Sequence, residues 1–207
     1  MSAKGIAKMV WLSVSAVRLI PHLLYMMLHP QRQIIKLDLD RWSDQLLNKK
    51  PKTVWDTIRY FIYFMTFFPE YRTLFYYRLG WTCRILYPLC RPMPLLHIGR
   101  AEEGIGPGLL IFHGRATGIV AKKIGKNCTI FQHVSIGYNV NQTEKPVIGD
   151  NVIIYAGAKV YGNIKIGDNS IVGANAVVVK DVPENSTVIA APAYIVRRNG
   201  VKVKEPL

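Results

Sequence analysis

The chain has 207 residues, half of them hydrophobic, which is enough for one or two domains with a substantial core. Its net charge of +14 raises nucleic acid as a partner, but no arginine-aromatic motif or recognised binding module accompanies the charge, and that class is set aside. Cys83, Cys90 and Cys128 show neither paired nor metal-like spacing and read as reduced thiols of a cytoplasmic protein.

The charge is uneven. Residues 1–100 carry fifteen Lys or Arg against five Asp or Glu, and the remainder twelve against eight. Within the basic half, residues 5–29 approach the roughly 20 apolar residues of a membrane span, but Lys8, Arg18, Pro21 and His22 interrupt them. No small-residue cleavage site follows, which argues against a secretory signal. Two readings stay open. One is an interfacial anchor with Trp11, Leu19, Leu23, Leu24 and Met27 on apolar surface and lysines toward anionic lipid; the other is a helix packed on its own domain or on a neighbouring subunit. A charged link at 49–52 precedes an apolar run over 54–68 that stops at Pro69. PEYRTLFYYRLGW then reads as a further helix, with Leu74, Tyr77 and Trp81 recurring at three to four. A proline-rich loop from Pro88 to Pro94 leads to His97.

From there the pattern changes to a period of six. Ile148, Ile154, Val160, Ile166, Val172 and Val178 follow without a miss, and Ile124, Ile130 and Ile136 share their phase. Four residues after each marker stands a small or short aliphatic residue, as at Cys128, Val134, Ala158 and Ala176; glycine often follows directly, at Gly125, Gly137, Gly149, Gly167 and Gly173. A strand repeats at two and a helix at 3.6, so six demands three short strands around a triangular prism, with marker and small residue pointing inward. At about eighteen residues per coil, 105–191 makes nearly five coils of a parallel β-helix. The pattern has the chain leaving the prism after Val182.

The repeat breaks twice. Ile105 and Ile111 are in step, but Ile124 arrives one residue late, so an inserted residue bulges out a corner near His113 and Arg115. Residues 137–147, GYNVNQTEKPV, read as a loop extruded from the prism, and such loops on rigid scaffolds commonly carry function.

GLLIFHGRATGIV, IGKNCTIFQHVSIGY and the run from KPVIGDNV to PENSTV resemble the hexapeptide-repeat acyltransferases, and within them the serine O-acetyltransferases and their sugar-acetylating relatives. PEYRTLFYYRLGW is similar to the helix that precedes the β-helix in that group, so the resemblance covers about 67–198. It implies a mainly β fold, a left-handed parallel β-helix behind an α-helical amino-terminal region, and acetyl transfer from acetyl-CoA to a hydroxyl with no metal. The family's catalytic histidine falls on His113. A hydroxyl is a poor nucleophile near neutral pH, and an imidazole whose unperturbed pKa is about 6.5 can take its proton as attack begins. Arg115, Gln132, His133 and Lys145 are the candidate acceptor-binding residues. Tyr155, Ala156 and Gly157 with Gly173 and Ala174 match the small-residue stretch along which pantetheine lies, and Arg197 and Arg198 are candidates for the CoA phosphates.

The chain departs from the group at three places. The aspartate before the catalytic histidine is Phe112, a second aspartate falls near Ile98, and a further histidine falls on Lys145. Glu102 or Glu103 is the expected substitute for the missing carboxylate. The acceptor therefore stays open between serine and a sugar hydroxyl on a cell-surface polysaccharide precursor. A non-catalytic membrane-associated scaffold is the other class; a three-histidine metal lyase is disfavoured, since only His113 and His133 lie in the repeats. Expected divisions are 1–95 helical, 96–196 β-helix and 197–207 a charged tail. Expected partners are acetyl-CoA, a small acceptor, two further copies in a homotrimer, and a membrane surface touched by residues 5–29, which makes the inner face of the membrane an alternative address.

Overall fold

The computed structural model describes residues 3–139 and 144–206. Its amino-terminal part is α1 (Ala3–Arg18), α2 (Ile20–Leu28), α3 (Arg32–Leu47), α4 (Val54–Phe67), α5 (Pro69–Leu79) and a 3-10 turn (Trp81–Leu86). Pro21, which lacks an N–H, stands at the start of α2, and the α1–α2 pair bends there by 50°. Among the described residues no single helix is long and apolar enough to cross a membrane. Thr53 starts α4 with a capping box: its hydroxyl accepts from Asp56 N at 3.0 Å and the Asp56 carboxylate accepts from Thr53 N at 3.1 Å.

The helices close over an aromatic core of Trp42, Phe61, Phe64, Tyr71 and Phe75. Two expectations change here. Leu19 is fully buried rather than on the apolar surface, because the bend turns it inward beside Ser15 and His22. Trp81 lies beyond α5 and is exposed; the buried positions of α5 are Tyr71, Leu74, Phe75, Tyr76, Arg78 and Leu79.

The prism has five coils. They supply β1 (Leu96–Ile98) and β2 (Leu110–Ile111); β3 (Thr117–Ile119), β4 (Lys123–Ile124) and β5 (Thr129–Ile130); β6 (Ser135–Gly137), β7 (Val147–Ile148) and β8 (Ile153–Ile154); β9 (Lys159–Tyr161), β10 (Lys165–Ile166) and β11 (Ile171–Val172); β12 (Val177–Val178) and β13 (Thr187–Val188). All these pairings are parallel, and they make three sides: β1-β3-β6-β9-β12, β4-β7-β10, and β2-β5-β8-β11-β13. Isolated bridges from Ile105 to Ile124 and from Ile166 to Val182 extend the second side through every coil. Contrary to the sequence pattern, the chain stays in the prism past Val182, since β13 still pairs with β11. Residues 194–206 then form an antiparallel hairpin, β14 (Tyr194–Arg198) with β15 (Val201–Pro206).

Every marker of the six-residue phase is buried, as are Cys128, Val134, Ala158, Ser170 and Ala176. A Cβ on Gly149 would meet Asp168 Oδ1 at 2.2 Å, and one on Gly167 would meet Glu184 N at 2.3 Å, so these glycines answer to the closeness of the next coil. Gly137 is different: among the described residues a Cβ there would meet nothing nearer than Tyr161 at 3.9 Å.

The helical part covers the first coil, whose upward-facing backbone groups no further strand pairs. Arg78 donates to Ile105 O at 2.5 Å and Gly106 O at 2.7 Å, Arg41 to Gly108 O at 2.7 Å, and Trp42 Nε1 to Leu109 O at 2.9 Å; Asp38 Oδ1 accepts from Gly108 N at 2.6 Å. Asp38 and Arg78 are themselves a buried ion pair at 2.8 Å. Burial pushes the Asp38 carboxyl upward, and the Arg78 charge and the Gly108 N–H oppose the shift. Four side chains from α3 and α5 thus fix the helical part to the end of the prism that carries His113.

Candidate functional site

The corner where the chain passes from the third side to the first holds most of the chemistry-bearing residues. Backbone bonds define its rungs. Phe112, Phe131, Tyr155 and Gly173 each donate N–H to the coil below, to Ile130, Ile154, Val172 and Val188. Next come Arg115, Gln132 and Ala156, whose carbonyls accept from His133, Gly157 and Asn175 at 3.0, 3.0 and 2.9 Å. This alignment puts Ala116, His133, Gly157 and Asn175 on one rung, and all four have positive φ, 49°, 59°, 77° and 58°.

Two residues have no place on any rung: His113 and Gly114. Ile111 pairs with Ile130 and Gly118 with Ser135, so the first corner spans two residues more than the one beneath it. The following corner is one residue short, since Ile119 to Ile124 replaces the six-residue step from Val160 to Ile166. The one-residue slip in the sequence is the sum of a two-residue insertion at His113 and a deletion at the next corner. His113 is exposed, in the left-handed region at φ 52°, and its carbonyl accepts from Arg115 N. Gly114 turns back onto the core, where a Cβ would stand 3.0 Å from Ile111 and Leu96 side chains.

Around His113 the corner divides into two textures. Phe112, Phe131 and Tyr155 stack with ring centroids 5.1 and 5.0 Å apart, and the stack ends at Gly173. Each ring follows a marker directly, at Ile111, Ile130 and Ile154, a signal present in the sequence. Phe112, where the resemblance led one to expect a carboxylate, is a ring of this stack. On the neighbouring rung the first two coils carry Arg115 and Gln132, while the next carries Ala156 and the fourth Ala174. Side chains therefore shrink down this corner and leave a shallow track past Tyr155, which suits a thin unbranched chain lying close to the backbone. Gln132 Oε1 is shielded from solvent and has no hydrogen-bond partner among the described residues. Lys159 Nζ donates to His133 O at 2.7 Å and Ser135 Oγ at 3.2 Å, bracing the second coil's turn; nothing in the sequence singled it out.

The structure thus brings together His113, Arg115, Gln132, His133, Tyr155, Ala156, Gly157, Gly173 and Ala174. It separates three others. Lys145 sits on the loop between the first and second sides, paired with Glu102 at 2.9 Å. Arg197 and Arg198 lie in the terminal hairpin, where Arg198 pairs with Glu205. The expectation that Glu102 or Glu103 orients His113 fails within one chain: Glu102 is held by Lys145 and Glu103 lies 3.4 Å from Lys122, both at a different corner. Of the extruded loop, residues 140–143 lie outside the described residues. Cys128 is buried inside the prism and its thiol is pushed up to about 11 by burial, which leaves it a poor nucleophile. Among the described residues no group of three His, Cys, Asp or Glu could hold a metal ion.

Comparison with known proteins gives three results. Residues 145–180 match the family model described as bacterial transferase hexapeptide (six repeats). The chain is 49% identical over 104 residues to a serine acetyltransferase of Staphylococcus aureus, 48% of each protein, and 36% identical over 152 residues to one of Synechococcus elongatus, 68% of this chain and 62% of that one. It spans about half the length of the Staphylococcus relatives. Its fold is shared with the serine acetyltransferase of Neisseria gonorrhoeae, at a TM-score of 0.59 and 22% identity over 89% of this chain and 69% of that one. It is shared equally with that of Brucella abortus solved with coenzyme A, at 0.56 and 22% over 88% and 72%. The prism is accordingly the left-handed β-helix of those structures.

Proposed function

We propose that this chain, a left-handed hexapeptide β-helix of the serine acetyltransferase kind, is an acetyl-CoA-dependent O-acetyltransferase. One observation carries the reading: the insertion that lifts His113 out of the rungs stands at the head of a corner whose side chains shrink to Ala156 and Ala174. In this reading His113 accepts the proton of the acceptor hydroxyl as its oxygen attacks the thioester carbonyl. The new C–O bond forms, the C–S bond breaks, and the proton passes to the departing sulfur. Tyr155, Ala156, Gly157, Gly173 and Ala174 would carry the pantetheine arm, Arg197 and Arg198 the CoA phosphates, and Arg115, Gln132 and His133 the acceptor. Lys145 reaches an acceptor only across a subunit boundary, which is one reason to read the assembly as a homotrimer. Serine is the acceptor that the relatives' names support.

The second element of the reading is peripheral membrane contact. Val10, Val14, Val17, Ile20, Leu24, Met27 and Leu28 are all at least half exposed along α1 and α2, and Arg18 lies among them. An apolar stripe of this length on a basic chain fits the interface of an anionic membrane better than water.

Release of free CoA from acetyl-CoA plus serine, followed with a thiol-reactive reporter, tests the activity. Loss of that signal in His113→Ala, with melting unchanged, is expected; full activity in the variant defeats the mechanism. No release with serine but release with a saccharide moves the acceptor and leaves the chemistry. Light scattering tests the trimer.

A further inference from the structure

A cavity of about 970 Å³ lies between the helical part and the first coil. It is lined by β1 and the residues after it, including His97 and Arg100, by α5, by Trp81 and Arg84 of the 3-10 turn and Tyr87 just after it, and by Gln31 at the junction of α2 and α3. The volume is at the upper end of the range for sites that take small molecules, and far exceeds the needs of one water-bridged gap.

Its charge is one-sided. Arg78, Arg84 and Arg100 line it, and among the described residues no Asp or Glu does. Arg78 is neutralised by Asp38 and fully engaged with the first coil, so it belongs to the fold. Arg84 and Arg100 are different: both are exposed, and among the described residues neither has an ion-pair partner. Two guanidinium groups in a concave site with low-dielectric walls concentrate anions, and their planar forks match phosphate oxygens.

Apolar side chains stand open to solvent beside the cavity. Trp81, which lines it, is 81% exposed, and Ile85 of the same turn 79%. The Tyr25 hydroxyl bonds to Thr82 Oγ1, which ties α2 to the turn carrying both. Leu28, 85% exposed, ends that same helix three residues before Gln31. Two exposed guanidinium groups beside an exposed indole suit a ligand with an anionic head and a ring or hydrocarbon body.

We propose that this cavity binds the phosphate group of a phosphate ester, held by Arg84 and Arg100, with the body of the ester against Trp81. The ester is either a phospholipid headgroup or a soluble phosphate ester, and the phosphate is common to both. The inference uses neither His113 nor acetyl transfer, and its test contains no acetyl-CoA, so either reading can fail alone.

The full chain is titrated by calorimetry with inorganic phosphate and with monomeric dihexanoylphosphatidylglycerol. The same titrations use Arg84→Gln/Arg100→Gln and a charge-matched control, Lys165→Gln/Lys180→Gln, whose exposed lysines lie in the last two coils. Removing two charge-assisted hydrogen bonds to the phosphate is expected to weaken affinity roughly tenfold or more in the arginine variant and to leave the control unchanged. Arg84→Lys/Arg100→Lys, which keeps the charge, is expected to recover part of the loss. A lipid source is supported if the phosphatidylglycerol binds more tightly than phosphate and Trp81→Ala removes the difference; equal affinities support a soluble ester. Equal binding by wild type and arginine variant, equal loss in both double variants, or no binding of either probe by the wild type overturns the proposal.

Discussion

Two corners of one prism meet the same backbone requirement in opposite ways. Where the second side turns into the third, each coil needs one residue in the left-handed region; Gly108 supplies it in the first coil at φ 79°, and Asn127, Asn151, Asn169 and Asn185 supply it in the other four at φ 56–58°. Asparagine tolerates that region, and here its amides also bond to one another, Asn151 to Asn169 and Asn169 to Asn185 at 3.0 Å. Asp150 and Asp168 add bonds to the N–H groups of Lys126 and Asp150 in the coils before them. At the His113 corner the same requirement falls on Ala116, His133, Gly157 and Asn175, four different residues, and two more residues are inserted above them. A corner filled by one repeated, self-satisfying residue serves the fold. A corner that varies at every rung is free to hold chemistry.

The sharpest way to break this contrast is to delete His113 and Gly114 together. The first corner then has the same length as those below it, and the pairing of Ile111 with Ile130 and Gly118 with Ser135 needs no bulge. Acetyl transfer is expected to fall by about a thousandfold or more, the range for loss of a positioned general base with its surroundings. Thermal melting should stay within a few degrees of wild type. A deletion that unfolds the chain would mean that the insertion is structural, and the two corners would then not differ in kind.

The converse experiment is Asn169→Ala at the regular corner. It removes two side-chain bonds and leaves alanine at φ 56°. A cost of about 2 kcal/mol in urea unfolding is expected. Asn169→Gly should recover the backbone part, and activity per folded molecule should not change in either.

Stability toward acid tests whether the exposed histidines of the His113 corner contribute to the fold. They are not expected to, because the buried histidine is His22 in the helical part. It is fully shielded, bonds to the Tyr76 hydroxyl at 2.8 Å, and has its pKa lowered to about 4, first by burial and then by Arg18. The unfolded chain takes up its proton near pH 6.5 and the folded chain only near pH 4, so stability falls as pH drops through that window. Between pH 7 and 5 the expected loss is about 2 kcal/mol. His22→Gln should flatten the dependence, and His113→Ala should leave it intact.

How much of this was legible in the sequence divides along the same line. The regular coils were readable because burial on three sides imposes the same inward pair every six residues, from Ile148 to Val178. The insertion was visible only as a net slip of one, because a gain at His113 and a loss before Ile124 partly cancel in a one-dimensional count. The attachment of the helices was invisible: Asp38, Arg41, Trp42 and Arg78 act on backbone atoms 27 to 87 residues away, and no local pattern marks a side chain whose partner is a distant backbone group. Leu19 was misread for a related reason, since an apolar residue beside a bend can face either way. The aromatic stack was within reach, and it explains why Phe112 occupies a position where a carboxylate had been expected.

The track past Tyr155 sets a further distinction. Ala174 is exposed on the rung that carries Ala156 above it. Ala174→Trp is expected to raise KM for acetyl-CoA roughly tenfold, the cost of about 1.4 kcal/mol, with kcat and melting little changed. A matching bulky change at the exposed Asn151 of the opposite corner should not affect KM.

The smallest effect separates a ligand-facing group from a merely tolerated one. Gln132 Oε1 is shielded and unpartnered among the described residues, a condition that costs about 1 kcal/mol or more for a neutral acceptor. Gln132→Met keeps the side-chain length and removes that acceptor, so the variant should unfold at slightly higher urea, by about 1 kcal/mol. If the acceptor substrate supplies the missing donor, KM for it rises severalfold in the same variant while KM for acetyl-CoA holds. Stability that falls instead would place Gln132 with the asparagines, as a residue the corner needs in order to fold. A gain in stability joined to a loss of acceptor affinity would mark it as a group whose partner arrives with the substrate.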